Sequence, residues 1–211
     1  MLSFYVHIPY CIKRCGYCDF NTYTPSELQD GATLEIVSND YIDAVLRELD
    51  AAPKDVVPTI FFGGGTPSLL PAYDLGRVIA AIKARNGLTA DCEITLEANP
   101  DSVTAEKLAE YLQVGFNRIS FGMQSAKPHV LAALDRTHNP ANVEKAITMA
   151  RAAGFKSISV DLIYGTPGES LEDWRETVEN ALALDIDLHQ VALGIALFFV
   201  IQRCIALCAA L

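Results

Sequence analysis

Short apolar runs alternate with amphipathic stretches along most of the chain, and this alternation narrows the fold more than any other feature. "LSFYVHI" (2–8), "TIFFGGG" (59–65), "EITLEAN" (93–99), "RISFGMQS" (118–125) and "SISVDLIYG" (157–165) read as strands. The segments 39–51, 74–85, 104–113, 127–134, 140–153 and 170–184 read as helices. The helix over 140–153 shows the logic: Val143, Ala146, Ile147 and Ala150 fall at i, i+3, i+4 and i+7, one apolar stripe. "NP" at 139–140 opens it and Gly154 closes it. Ser170, three residues before Asp173, opens the next helix. Strand–helix repetition of this kind predicts βαβ units and a parallel sheet. In 211 residues it fits an α/β fold of about six parallel strands, a partial (β/α) TIM-type barrel, because a closed eight-fold barrel takes ~250 residues. Ligands of such sheets bind at the C-terminal strand ends.

Residues 1–187 read as one core domain and 188–211 as an apolar tail. "VALGIALFFVI" (191–201) is uninterrupted, then Gln202 and Arg203 break the run before "CIALCAAL". A last buried strand followed by a helix is expected there, with Cys204 and Cys208 among its apolar residues. A bilayer span takes ~20 apolar residues, and an Arg near its centre costs roughly 3 kcal/mol. Any membrane association would have to run through this tail.

Charge excludes other partners. With 26 acidic against 16 basic residues, the net charge is −10, and such a surface repels nucleic-acid phosphates and anionic lipid. The N-terminus, "MLSFYVHIPY", has neither a basic region nor a cleavage site of the secretory kind. Six cysteines without export belong to metal-binding, catalytic or buried thiols rather than disulfides. A cytoplasmic protein is expected.

Three of those cysteines crowd into "HIPYCIKRCGYCDF": Cys11, Cys15 and Cys18, beginning three residues after the first strand. Three thiolates on a strand-end loop can hold a four-iron cluster and leave one iron open to a small molecule. Zinc competes, with His7 or a water as fourth ligand. The other strand ends weigh on the choice. "GGGTP" (63–67) lets backbone approach a ligand closely. "LEANP" presents Glu97, "FGMQS" Gln124, "LDRTHNP" Arg136 and "VDLIYG" Asp161. These groups suit an α-amino acid joined to a nucleoside. Its carboxylate would go to Arg136, its ammonium to Glu97 and the glycine turn, and its ribose diol to Gln124 or Asp161.

In order and spacing, "YVHIPYCIKRCGYCDF", "FFGGGTPSLL", "LEANPDSVT", "RISFGMQS", "LDRTHN" and "VDLIYGTPGES" resemble the radical S-adenosylmethionine (SAM) proteins of the oxygen-independent coproporphyrinogen III oxidase group. The resemblance covers residues 2 to 187. Within the group the chain looks like the HemW-type heme chaperones more than the oxidases, which carry a cysteine two residues past the third cluster cysteine, where this chain has Phe20. The resemblance implies a [4Fe-4S] cluster on Cys11, Cys15 and Cys18, with SAM on the open iron. It also implies that Tyr5 and Tyr17 flank cluster and nucleotide, that Gly64, Gly65 and Thr66 line the methionine end, that Glu97 and Arg136 hold its charged groups, and that Gln124 and Asp161 hold the ribose. For the chaperone branch the implied role is binding heme and passing it to an acceptor protein. A coproporphyrinogen dehydrogenase and a zinc-stabilised α/β binding module are the alternatives. Members of the group continue into a C-terminal domain that this chain does not match, so it reads as truncated or divergent beyond Asp187. Cys92 reads as core. His129, His138 and His189 read as surface or capping residues, and His7 as a residue that fixes the thiol loop.

Overall fold

The structure, a computed structural model, describes residues 2–28, 34–136, 138–193 and 204–207. Its strands are β1 (Ser3–Ile8), β2 (Val57–Gly64), β3 (Leu88–Ala98), β4 (Arg118–Gln124), β5 (Ser157–Tyr164), β6 (Leu188–Leu193) and β7 (Cys204–Leu207). Its helices are α1 (Leu34–Leu49), α2 (Ala72–Asn86), α3 (Ala105–Gln113), α4 (Pro128–Ala133), α5 (Pro140–Ala153) and α6 (Leu171–Leu182). The strands form one sheet in the order β6-β5-β4-β3-β2-β1-β7, and every pairing is parallel. This is the partial (β/α) barrel expected, with β1 to β6 in sequential order. Cys204–Leu207 is a strand beside β1 rather than part of a helix. The apolar run between β6 and β7 falls largely on 194–203, outside the described residues. Among the described residues no helix is long and apolar enough to cross a membrane.

Local chemistry sets the helix ends. Asn139 accepts a hydrogen bond from Ala141 N and Pro140 fills the first helical position of α5. Gly154, at φ 117°, stops that helix. Ser170 and Asp173 form a reciprocal capping box at α6.

The strand side chains alternate between two surfaces. Phe4, Val6 and Ile8, Ile60 and Phe62, Ile94 and Leu96, Ile119 and Phe121, Ile158 and Val160 are all buried. They form one core with Ile42, Val45, Leu75, Val78, Leu108, Val143 and Ile147 of the helices. Burial of each is worth roughly 1.5–3 kcal/mol. The intervening residues line the other, concave surface and are mostly polar: Tyr5 and His7, Thr59, Glu93, Thr95 and Glu97, Arg118 and Ser120, Ser159 and Asp161. A core on one side and a polar hollow on the other is what directs ligand chemistry inward.

Tyr111 of α3 ties this framework to the segment that follows β2. Its hydroxyl is buried and lies 3.0 Å from Ser68 O and 2.9 Å from Leu70 O. Tyr111→Phe removes the one proton that these two carbonyls share. Its stability in urea should fall by about 1–2 kcal/mol, without loss of the two-state transition.

Candidate cluster and nucleotide site

The thiol loop is held from three directions. Tyr23 N donates to Pro9 O at 2.6 Å and Cys11 N to Tyr23 O at 3.0 Å, closing the loop on itself. Arg14 donates to Thr22 and pairs with both Glu27 carboxylate oxygens at 3.0 Å. Gly16 N donates to Leu134 O at 3.2 Å, docking the loop on the end of α4. Beneath it, His7 Nε2 lies 2.8 Å from Asn21 O and Nδ1 3.3 Å from the Tyr5 hydroxyl. A carbonyl only accepts, so the proton sits on Nε2 and Nδ1 accepts from Tyr5. With both nitrogens engaged, His7 braces the loop, which leaves a water as the fourth ligand in the zinc reading.

The glycine turn meets the loop through backbone. Gly65 N donates to Ile8 O and Thr66 N to Tyr10 O, both at 2.7 Å. A Cβ on Gly65 would lie 2.6 Å from Tyr10 O and 2.8 Å from Ile8 O, so only glycine fits. Gly64 takes φ 107° and its N–H donates to Glu97 Oε2 at 3.2 Å. The Thr66 hydroxyl reaches Cys11 Sγ at 3.7 Å.

Arg136 completes the near side. Asp135, at φ 55°, turns the chain sharply after α4 and aims the guanidinium inward. Arg136 Nη1 donates to Cys15 Sγ at 3.4 Å and Nη2 to Gly122 O at 3.0 Å. Its Nε is buried and has no hydrogen-bond partner. A Cβ at Gly122 would lie 2.6 Å from Arg136 Nη2 and 2.8 Å from Gln124 Nε2, so Arg136 and Gln124 meet over this glycine. Gln124 itself stands at φ 64° where the β4–β5 register shifts. Tyr17 is 38% exposed, and its hydroxyl interacts with Cys15 and Arg136. His138, read as a surface or capping residue, is buried instead, with Nε2 3.1 Å from Met123 O. Cys92 is buried in β3, and His129 is an exposed partner of Asp173.

Electrostatics single out two acids. Burial, with the Asp161 charge nearby, pushes Glu97 up to about 8, against the pull of the Gly64 N–H. Burial also raises Asp161 to about 6, opposed by the Ser120 hydroxyl and by Arg118 and Arg136. Burial pushes the Cys11 and Cys18 thiols up as well, so metal uptake by the loop releases protons. The thiols of Cys11, Cys15 and Cys18 lie close enough to feel one another's charge. Among the described residues, however, no three His, Cys, Asp or Glu side chains converge on a point that would hold one ion.

The structure thus brings Cys11, Cys15, Cys18, Tyr17, Thr66 and Arg136 together on the near side. Tyr5, Gly64, Gly65, Glu97, Gln124 and Asp161 line the hollow beside them. Sequence reading missed Arg118, Ser120 and Ser159, which lie beneath Asp161; their signal was polar residues at every second position of otherwise apolar strands.

A parallel sheet whose strand ends carry thiols, a glycine turn, a buried guanidinium and two desolvated acids defines an α/β protein built to hold a cofactor there. Residues 5–181 match the family described as the Radical SAM superfamily, and the chain belongs to it. Membership implies a [4Fe-4S] cluster and SAM. Among curated relatives, "Heme chaperone HemW" of Mycobacterium tuberculosis is 45% identical over 188 residues, covering 87% of this chain and 47% of the relative. The protein of the same name from Escherichia coli K12 is 39% identical over 188 residues, covering 87% and 48%. Among solved structures, the coproporphyrinogen III oxidase HemN of Escherichia coli, a radical SAM enzyme, superposes with a TM-score of 0.79 at 29% identity, over 93% of this chain and 44% of that one. The chain spans about half the length of the relatives it matches.

The residues present fit these groups: the unpartnered Arg136 Nε suits a carboxylate, and the Gly64–Gly65 turn admits backbone-close approach. Gly64→Ala tests how tightly the turn and loop are coupled. Its Cβ would fall 2.4 Å from the His7 ring, at a φ that L-residues avoid. Stability should drop by about 1–3 kcal/mol, and iron retained after reconstitution should fall with it.

Proposed function

We propose that the chain binds a [4Fe-4S] cluster through Cys11, Cys15 and Cys18 and SAM through the adjoining strand ends, and that it acts as a heme chaperone in the cytoplasm, binding heme and passing it to an acceptor protein. The observation that carries the heme assignment is the 45% and 39% identity to two proteins named heme chaperones, each over 87% of this chain. Cys11, Cys15, Cys18 and Cys92 are free thiols, in keeping with a reducing compartment.

In this reading the Arg136 guanidinium takes the SAM carboxylate, with Nε as the open donor. Glu97 takes the ammonium beside Gly64, Gly65 and Thr66. Gln124 and Asp161 take the ribose diol, and Tyr5 and Tyr17 wall the pocket. When bound, the cluster supplies the electron that SAM chemistry in this family requires. The hollow's own contribution is orientation: fixed donors and acceptors around a sulfonium held against the thiol loop.

A second reading, oxidation of coproporphyrinogen III, is favoured by the likeness to HemN. Phe20 opposes it, because the oxidases of this group carry a cysteine there. Anaerobic reconstitution followed by heme titration separates these outcomes. About four irons per chain and saturable heme binding are expected, with Cys15→Ala losing most of the iron. One tightly bound zinc per chain would overturn the cluster, and decarboxylation of coproporphyrinogen III would favour the second reading.

The acid pair adds a pH signature. With Glu97 protonated below about 8 in the free protein, binding of an ammonium must expel that proton. SAM affinity should therefore rise from pH 6 toward pH 8, with protons released to buffer in calorimetry. Glu97→Gln should bind more weakly and lose the rising limb.

A further inference from the structure

Beneath the strand ends, four side chains from three adjacent strands form a hydrogen-bonded chain for which the cofactor site as described has no use. Arg118 Nη1 pairs with Glu93 Oε1 at 3.0 Å, while its Nη2 donates to Ser159 Oγ at 3.2 Å. Ser159 Oγ donates to Ser120 Oγ at 2.8 Å, and Ser120 Oγ donates to Asp161 Oδ1 at 3.0 Å. The sheet register makes this possible: Ser120 stands opposite Ser159, and Gly122 opposite Asp161, so Ser120 lies beside both Ser159 and Asp161.

The chain runs one way. A guanidinium has no acceptor, so Ser159 must accept from Arg118. Each hydroxyl has a single proton, so that of Ser159 goes to Ser120 and that of Ser120 goes to Asp161. Ser159 is fully buried and Ser120 is 2% exposed, so bulk water does not compete for either hydroxyl. Glu93 anchors the other end of Arg118.

We propose that Arg118, Ser159 and Ser120 are positioning residues that fix Asp161 as a purely accepting carboxylate, with Oδ1 engaged from below and Oδ2 presented to a vicinal diol. This rests on the reading in which Asp161 takes the ribose of SAM. A diol brings O–H donors; an ionised Asp161 can accept from them at Oδ2, whereas protonation there would turn that oxygen into a donor. Keeping Asp161 ionised is a real task there, because burial works against its charge; the groups facing it are the Glu97 carboxyl of β3, itself held protonated up to about 8, and the cations Arg118 below and Arg136 above. Ser120 carries the influence of Arg118 up to it, since hydrogen bonds in a chain polarise one another.

Two measurements on the full chain test the inference and keep it distinct from the ribose reading. The first needs no ligand: carbon-13 NMR follows the Asp161 carboxyl through a pH titration, assigned by its loss in Asp161→Asn. Ser120→Ala and Arg118→Met should each move the titration upward from about 6, and Ser120→Thr, which keeps the hydroxyl, should restore it. An unchanged midpoint in both variants overturns the donor chain. The second is calorimetry on the reconstituted protein. Ser120→Ala should weaken SAM about tenfold, as loss of a hydrogen bond to a charged group does, and leave free methionine unaffected. Wild-type SAM affinity in Ser120→Ala overturns the positioning role. Wild-type affinity in Asp161→Asn overturns the ribose reading beneath it, while the NMR shifts still report whether the chain exists.

Discussion

Two backbone hydrogen bonds, from Gly65 N to Ile8 O and from Thr66 N to Tyr10 O, carry the β1–β2 ladder past the ends of both strands. The rest of the site depends on them. They bring the glycine turn into register with the root of the thiol loop, so that Thr66 reaches Cys11 and Gly64 faces His7 and Glu97. Because no side chain can stand between the two segments at Gly65, the spacing is set by backbone geometry, the least adjustable ruler a protein has. The loop then needs only lateral braces, and Arg14, Asn21 and Leu134 supply them.

The hollow divides its labour by depth. At the rim lie the thiols and Arg136. Halfway down are the desolvated acids Glu97 and Asp161, costly to keep charged and hence able to respond strongly to an arriving cation or donor. At the bottom, Glu93, Arg118 and the two serines satisfy one another. Charge is therefore held in reserve at the middle level and neutralised below it. The concave surface can afford so much polarity because the opposite face of the same strands carries nearly all of the apolar core.

Much of this was legible in the sequence, because parallel strands and amphipathic helices write different periods. Val143 to Ala150 marked α5, with its cap at Asn139 and its stop at Gly154. Ser170 and Asp173 marked the start of α6. The strand-end rule picked out Glu97, Gln124 and Asp161 without any knowledge of distances, since three successive strands must present their ends on one side. What the sequence did not disclose depends on contacts between strands. The Arg118–Ser159–Ser120 chain needs the β4–β5 register, and His138 is buried because it meets a carbonyl at Met123, fifteen residues away in the chain. Near the end of the chain the composition was apolar whichever element formed, so helix and strand were not separable at Cys204–Leu207.

Gln124 offers a last consequence. A strand residue with a Cβ at φ 64° sits in a backbone well that costs about 1 kcal/mol for residues other than glycine, asparagine or aspartate. Glycine at this point would let the β4 bulge relax, yet it would strip the rim of the one amide that shares Gly122 with Arg136. The fold thus carries a strained residue at the strand end where Gln124 and Arg136 meet over Gly122. Backbone ease and rim chemistry therefore pull this single residue in opposite directions.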